Sequence, residues 1–170
     1  MGASQSVPEL VEAARSNAKL SVDRISDIET IKNGPGGTDA QSAELGAAIA
    51  ELEAGVVDTF SMFEARMQHH FRRGPFSRKL TTKLSEAGEA DLAERVHQFY
   101  LAVNVLKHGK GASYRELSST SHSLIVLKSG EDVVVDASRK TSGLVDVTVT
   151  GFFEALSTTI IEAYQFLENK

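Results

Sequence analysis

The stretch LGAAIAELEAGVVDTFSMFEARM, residues 45–67, decides the fold class. Its large apolar residues recur in steps of three or four positions: Leu45, Ile49, Leu52, Val56, Phe60, Phe63 and Met67. Because an α-helix turns once in roughly 3.6 residues, this spacing places all of them on one helix face. An apolar face of this length has to be covered by other helices. We therefore expect a core helix that starts after Thr38 and reaches about Phe71, in a mainly α protein.

Helical patterns on both sides of this stretch predict the rest of a bundle. Ser6-Val7-Pro8-Glu9 is a capping box, and helical spacing follows it to about Lys32. The glycine-rich residues 33–37 end that helix. A short helix is predicted over 77–87 and a second core helix over 90–108, and the helical period returns from about Thr150 to the end of the chain.

The pattern between these last two helices is that of β-structure. The β-branched runs 124–127 and 133–135 flank Ser129-Gly130-Glu131-Asp132, which predicts a β-hairpin over about 123–136. Residues 144–149 can add a short extended piece. The whole chain, 1–170, is thus predicted to be one domain, an up-and-down bundle of four or five helices with the hairpin before the last helix. The exposed hairpin edge is a route to dimerisation or to a partner protein.

Composition excludes several classes of protein. A length of 170 residues corresponds to about one domain, with 41% hydrophobic residues and a net charge of -5. The absence of cysteine excludes a disulfide framework, a thiolate zinc site, an iron–sulfur cluster and cysteine catalysis. No apolar run approaches about 18 residues and no charged-then-apolar leader is present. We expect a cytoplasmic protein with no membrane segment and no cofactor.

The end of the helix over 90–108 is the segment best suited to chemistry. A second stripe on that helix carries His97, Leu101, Asn104 and His108, which indicates partial burial against another helix or a second copy of the chain. Asn104 lies one turn before His108 on the same side, so its amide could hydrogen-bond the imidazole and orient it. Glycines at 109 and 111 leave room for a phosphate or a backbone segment beside the histidine.

An Asn followed three residues later by Lys107-His108-Gly109, at the end of a late bundle helix, resembles the HEPN superfamily. Members of that superfamily are small helical bundles that commonly form dimers, and many are RNases. The resemblance implies a homodimer and metal-independent RNA cleavage, in which a 2′-OH attacks the adjacent phosphate. In that mechanism a histidine does the acid–base work and an arginine stabilises the developing charge. The resemblance would make His108 and Asn104 the catalytic residues.

One departure from the HEPN motif bears directly on catalysis. The position expected for the arginine holds Val103, which also belongs to the apolar stripe of its helix. Lys107, Lys110 or Arg115 can compensate for the missing guanidinium only in part. For the two lysines the reason is that a compact ammonium does not reproduce the bidentate fork of a guanidinium. The sequence therefore favours a HEPN-like accessory protein, weakly catalytic or non-catalytic, that binds RNA or a partner protein. The alternatives are a metal-independent endoribonuclease using His108, and a structural or ligand-binding bundle in which His108 only caps a helix.

Positive charge also collects at one end of the predicted bundle, in an otherwise acidic protein. The cations are Arg66, Arg72, Arg73, Arg78, Lys79 and Lys83. They predict either a phosphate or RNA contact surface, with Arg72 and Arg73 at its centre, or simply a solvated face.

Two groups of residues suggest a metal site without completing one. His69 and His70 lie near Glu64, but adjacent residues on an α-helix point about 100° apart, so both are not expected to bind one ion. Glu94 and His97 have the Glu-x-x-His spacing of di-iron bundles, which need a second such motif. We expect no metal site.

Overall fold

The computed structural model describes residues 4–34, 38–120, 124–129 and 140–169. These residues form six α-helices: α1 (Val7–Lys32), α2 (Asp39–Met67), α3 (Phe76–Glu86), α4 (Ala90–His108), α5 (Ala112–Ser118) and α6 (Phe152–Glu168). The prediction of a mainly α protein is confirmed, although the number of helices is higher than the four or five expected. In the described part of the chain, no helix combines the length and the apolar character needed to cross a membrane.

The first two helices begin where their capping boxes predict. The backbone N–H of Ser6 donates to the Glu9 carboxylate at 2.6 Å, and the Glu9 N–H donates to the Ser6 hydroxyl at 3.4 Å. Thr38 and Gln41 make the corresponding pair of bonds, at 2.8 and 3.3 Å. Each pair satisfies two backbone amides that a helix start otherwise leaves without partners.

The face of α2 that the sequence predicts to be apolar is buried in the core. Val56, Phe60 and Phe63 have essentially no exposed surface, and Leu45 and Ile49 pack against the edge of the core. Helix α1 packs on α2 and α6, while α4 packs on α2, α3, α5 and α6. Burial of these apolar side chains is the main source of stability in a bundle of this kind.

The end of α2 differs from the prediction. The helix stops at Met67 instead of near Phe71, and a 3-10 turn over Gln68–His70 follows it. Phe71 then packs edge-on against Phe76 at 5.7 Å between ring centroids, and Phe76 packs in the same way on Phe63 at 5.3 Å. Packing of aromatic rings between α2 and α3 therefore turns the chain earlier than the local apolar pattern indicates.

Helix α5 is the element that the sequence does not predict. Its seven residues span two turns, which is too short for a periodic pattern to be visible. Leu117 anchors it in the core. It covers the second stripe of α4, where His97 Nε2 lies 2.7 Å from Glu116 Oε1 and the Asn104 amide lies 3.4 Å from the Ser113 hydroxyl. Of the two expected partners for that stripe, a helix of the same chain is the one observed.

The predicted hairpin is not observed in the described residues, which contain no strand longer than an isolated bridge. Leu127 forms this bridge with Val145, and the Lys128 N–H donates to the Leu144 carbonyl at 2.7 Å. The predicted second strand, 133–135, lies outside the described residues. Within the described residues, the first predicted strand, 124–127, is bridged to the segment after residue 140, where Leu144 and Val145 are buried in the core.

Candidate functional site

Helix α4 ends at His108 and is held there by a distant loop. Gly109 follows with φ of 76°, a conformation that favours glycine, and its N–H donates to the Val105 carbonyl at 2.8 Å. Ser142 adds two bonds: its N–H donates to the Leu106 carbonyl at 2.8 Å, and its hydroxyl donates to the Val105 carbonyl at 2.6 Å. Two of the four carbonyls that a helix end usually leaves without partners, those of Val105 and Leu106, thus have partners within the protein.

The same loop also reaches α2. Thr141 donates a hydrogen bond from its hydroxyl to the Glu53 carboxylate at 3.0 Å, and Glu53 is fully buried. Burying a carboxylate is costly unless hydrogen bonds compensate, so this contact constrains the position of the loop. Sequence reasoning missed Glu53, because its position one residue from Leu52 gives no sign that a loop 88 residues away covers it.

The two residues predicted to be catalytic are not joined by a hydrogen bond. His108 is exposed, and among the described residues its ring makes no hydrogen bond. The Asn104 amide contacts Ser113 on α5 instead of the imidazole. Val103, which stands where the HEPN motif has arginine, is only 2% exposed. The position of the missing guanidinium is therefore part of the core.

Lys107 connects the end of α4 electrostatically with the junction of α2 and α3. Glu64 on α2 is half-buried and accepts a hydrogen bond from the Ser77 hydroxyl at 3.3 Å. Burial raises the pKa of Glu64, and the hydrogen bond from Ser77 and the positive charge of Lys107 offset part of that rise. Lys107 is therefore near enough to Glu64 for the two charges to interact.

The segment from α2 to α3 carries a concentrated positive charge. Residues 65–85 contain six Lys and Arg residues and no Asp or Glu. Four of these cations, Arg72, Arg73, Arg78 and Lys79, are exposed, and none of the four forms an ion pair with another described residue. We call these four residues the basic corner. Their charges are available to an external anion.

The other two cations of this segment, Arg66 and Lys83, contact other parts of the chain. The Arg66 guanidinium donates to the Ser4 hydroxyl at 2.7 Å and to the Gln5 carbonyl at 3.1 Å. The Lys83 ammonium lies 5.6 Å from the centre of the Phe71 ring, within the range of a cation–π contact. Arg66 and Lys83 thus have contacts within the chain, which sets them apart from the four residues of the basic corner.

Lys110 and Arg115 lie on the turn between α4 and α5 and on α5 itself. The Lys110 ammonium lies 5.7 Å from the centre of the Tyr114 ring, and Arg115 is exposed. No contact among the described residues joins either side chain to the basic corner. Arg72 and Arg73 thus lie between α2 and α3, whereas Lys107, Lys110 and Arg115 lie in the last turn of α4, in the turn after it and on α5, respectively.

The histidines after α2 lie closer together than expected for adjacent residues of an α-helix. The rings of His69 and His70 are 4.3 Å apart between centroids, and His70 Nε2 lies 3.1 Å from Glu168 Oε1 on α6. One donor atom from each of these three residues lies within 4.8 Å of the others. Glu64, considered with them from the sequence, bonds to Ser77 instead. No sequence signal could have identified Glu168, which is 98 residues from His70.

The second candidate pair for metal binding does not come together in this way. Glu94 accepts a hydrogen bond from the Gln98 amide at 3.1 Å, while His97 pairs with Glu116. A single imidazole and a single carboxylate thus meet between α4 and α5.

No model of a known protein family, no curated protein and no solved structure matches this chain. The HEPN-like resemblance therefore stays a prediction from the sequence motif at the end of α4.

Proposed function

We propose that this protein is a HEPN-like accessory protein that binds RNA through the basic corner, as a homodimer, with weak or no cleavage activity. The observation that carries the proposal is the set of four exposed cations, without ion pairs to other described residues, in a protein whose net charge is -5. A local excess of positive charge in an acidic protein concentrates and orients a polyanion at that surface.

The chemistry of the basic corner suits a phosphate backbone. Three of its four residues are arginines, whose planar guanidinium groups bind phosphate oxygens in pairs. Lys79 supplies a compact charge. Its side chain passes close to Gly74, because a Cβ placed on that glycine would come within 2.9 Å of it. Lys107 adds a further positive charge from α4. RNA is the polyanion that the resemblance at Asn104 and His108 implies.

Two features favour binding over cleavage. Val103 is buried where a catalytic arginine would have to reach solvent. The Asn104 amide faces Ser113, so it is not in place to orient His108. A general acid–base histidine needs a partner that orients it and a cation that stabilises the charge on the reacting phosphate. The exposed His108 and Lys107 supply at most part of that arrangement.

RNA affinity measured by fluorescence anisotropy over a range of salt concentrations tests the binding proposal. The double variant Arg72→Ala/Arg73→Ala should bind single-stranded RNA at least about tenfold more weakly. Its salt slope should fall by about 1.4, since each lost phosphate contact removes about 0.7 for a single strand. The matched control, Lys19→Ala/Lys32→Ala, removes two exposed cations from α1 and should bind as the wild type does. Equal losses in both variants, or no RNA binding by the wild type, would show the proposal to be wrong.

Incubation of RNA with the protein in a chelator tests the second half of the proposal. We expect little or no cleavage, and His108→Ala should leave RNA affinity unchanged. Products ending in cyclic phosphate that disappear in His108→Ala would replace the proposal with the endoribonuclease alternative. Sedimentation of the full chain checks the expected homodimer, and a dimer that binds no RNA would favour a partner protein instead.

A further inference from the structure

We propose that His69, His70 and Glu168 form a binding site for a divalent transition-metal ion of the zinc class. The site joins the turn after α2 to the last turn of α6. It does not depend on RNA binding, and none of its three residues belongs to the basic corner.

The spacing of the donor atoms is close to that of a metal site. One nitrogen or oxygen from each of the three side chains lies within 4.8 Å of the other two. Zinc takes nitrogen and oxygen ligands at about 2.0–2.2 Å, so neighbouring ligand atoms of a tetrahedral site are about 3.4 Å apart. His70 and Glu168 already meet this requirement, at 3.1 Å.

A hydrogen bond behind His69 is the second observation. Its Nδ1 lies 2.9 Å from the backbone carbonyl of Arg66. Because a carbonyl oxygen only accepts, Nδ1 carries the proton of the neutral ring, and the lone pair is left on Nε2. Metal-binding histidines usually donate their second N–H to a carbonyl or a carboxylate in this way. The Arg66 guanidinium itself bonds to Ser4 and Gln5.

The kind of donor selects the class of metal. Two imidazoles and one carboxylate suit Zn²⁺, Co²⁺ or Ni²⁺, whereas Ca²⁺ and Mg²⁺ prefer oxygen ligands. Three protein ligands leave a fourth position for water. Within the described residues, this is the one group of three or more such side chains whose donor atoms meet.

The pair of His97 and Glu116 provides a matched control within the same chain. It places an imidazole nitrogen 2.7 Å from a carboxylate oxygen, much as His70 and Glu168 are placed, but has no second imidazole in reach. If the metal ion binds at the three-residue site, substitution of His97 should therefore leave metal affinity unchanged.

Calorimetric titration of the full chain with Zn²⁺ alone tests the proposal. We expect one Zn²⁺ per chain, with affinity at least about tenfold weaker in His69→Ala, His70→Ala and Glu168→Gln, and unchanged in His97→Ala. Circular dichroism of each variant confirms that the helices are intact. No binding by the wild type, equal binding by His69→Ala and the wild type, or equal loss in His97→Ala would overturn the proposal.

Co²⁺ provides an independent spectroscopic test of the same ligands. The wild type should give the intense visible absorption of four-coordinate Co²⁺, and His70→Ala should abolish it. The spectrum of a six-coordinate aquo ion in the wild type would contradict the site. RNA affinity measured in a chelator keeps the two proposals separate, because it reports on the basic corner in the absence of bound metal.

Discussion

The corner between α2 and α3 and the corner between α4 and α5 both carry cations, but they are built differently. At the first, the exposed charges come from residues 72–79, a single short stretch of sequence. At the second, partners far along the chain hold the backbone: Ser142 caps α4 from 37 residues away, and the Tyr114 hydroxyl donates to the Lys128 carbonyl at 3.4 Å. The charge of a surface can thus be predicted from a short stretch of sequence, whereas the contacts that hold its backbone in place depend on how distant segments pack.

This difference makes the corner between α2 and α3 suited to binding an anion, and the corner between α4 and α5 suited to a structural role. The cations of the basic corner make no ion pairs with other described residues, so they can approach an anion without first breaking an internal contact. At the α4–α5 corner, Asn104 and Lys110 contact residues of α5.

The largest effect is expected from giving the second corner the guanidinium that its motif lacks. Val103→Arg would place a charge among core residues, at a site only 2% exposed. An unpaired buried charge should destabilise the fold by about 3–5 kcal/mol, measured by urea denaturation. Ala112→Arg adds the same charge at an exposed position on α5 and should have little effect. If Val103→Arg were as stable as the wild type, this face of α4 would be open to solvent.

A smaller loss is expected from weakening the distant cap of α4. Ser142→Ala removes the hydroxyl that donates to Val105 and that accepts the Leu144 N–H at 3.3 Å. The expected cost is about 1–2 kcal/mol in the free energy of unfolding, because partly buried backbone groups lose a partner. Ser118→Ala is the control: its hydroxyl also donates to a carbonyl, that of Tyr114, but it is exposed. An equal loss in the free energy of unfolding in both variants would show that the Ser142 cap of α4 stabilises the fold no more than an exposed hydroxyl does.

The smallest effect is expected at Glu64, the residue between the two corners. Burial raises its pKa above the ordinary value of 4.5, so the folded state holds this proton more tightly than the unfolded state does. The resulting stabilisation is complete below the unfolded pKa and is lost as pH rises through the folded pKa. Glu64→Gln should therefore raise the melting temperature relative to wild type at neutral pH and lose that advantage in acid.

Thermal melts followed by circular dichroism at about pH 3 and about pH 7 measure this difference. The control, Glu86→Gln, removes a carboxylate from an exposed position at the end of α3. Its difference from wild type should be the same at both pH values. A Glu64→Gln variant that behaves in the same way would contradict the role assigned to burial.

Much of the fold follows from interactions among near neighbours in sequence. Ser6 and Glu9, and likewise Thr38 and Gln41, are three residues apart, and their capping bonds form as predicted. The apolar face of α2 is likewise a property of steps of three and four residues. Such patterns do not depend on what the rest of the chain does, so they can be read directly.

Two departures from the prediction involve packing between different elements of the fold. The stop of α2 at Met67 accompanies packing of Phe71 on Phe76, and α5 depends on Leu117 and on the stripe of α4 that it covers. Neither has a local pattern long enough to be recognised. For the candidate site, the cations were identified from composition, but the separation of Arg66 and Lys83 from the basic corner depends on their partners in the fold.

The amino-acid sequence alone determined the helical class of this protein, the starts of its first two helices and the charge of the surface between α2 and α3. These properties depend on hydrogen bonds and periodicities that span about one helical turn. The tertiary structure alone decided that the Asn104 amide faces Ser113 on α5 and that Glu168 lies beside two histidines 98 and 99 residues before it. Those outcomes depend on how helices pack, because packing brings together side chains that no local pattern relates.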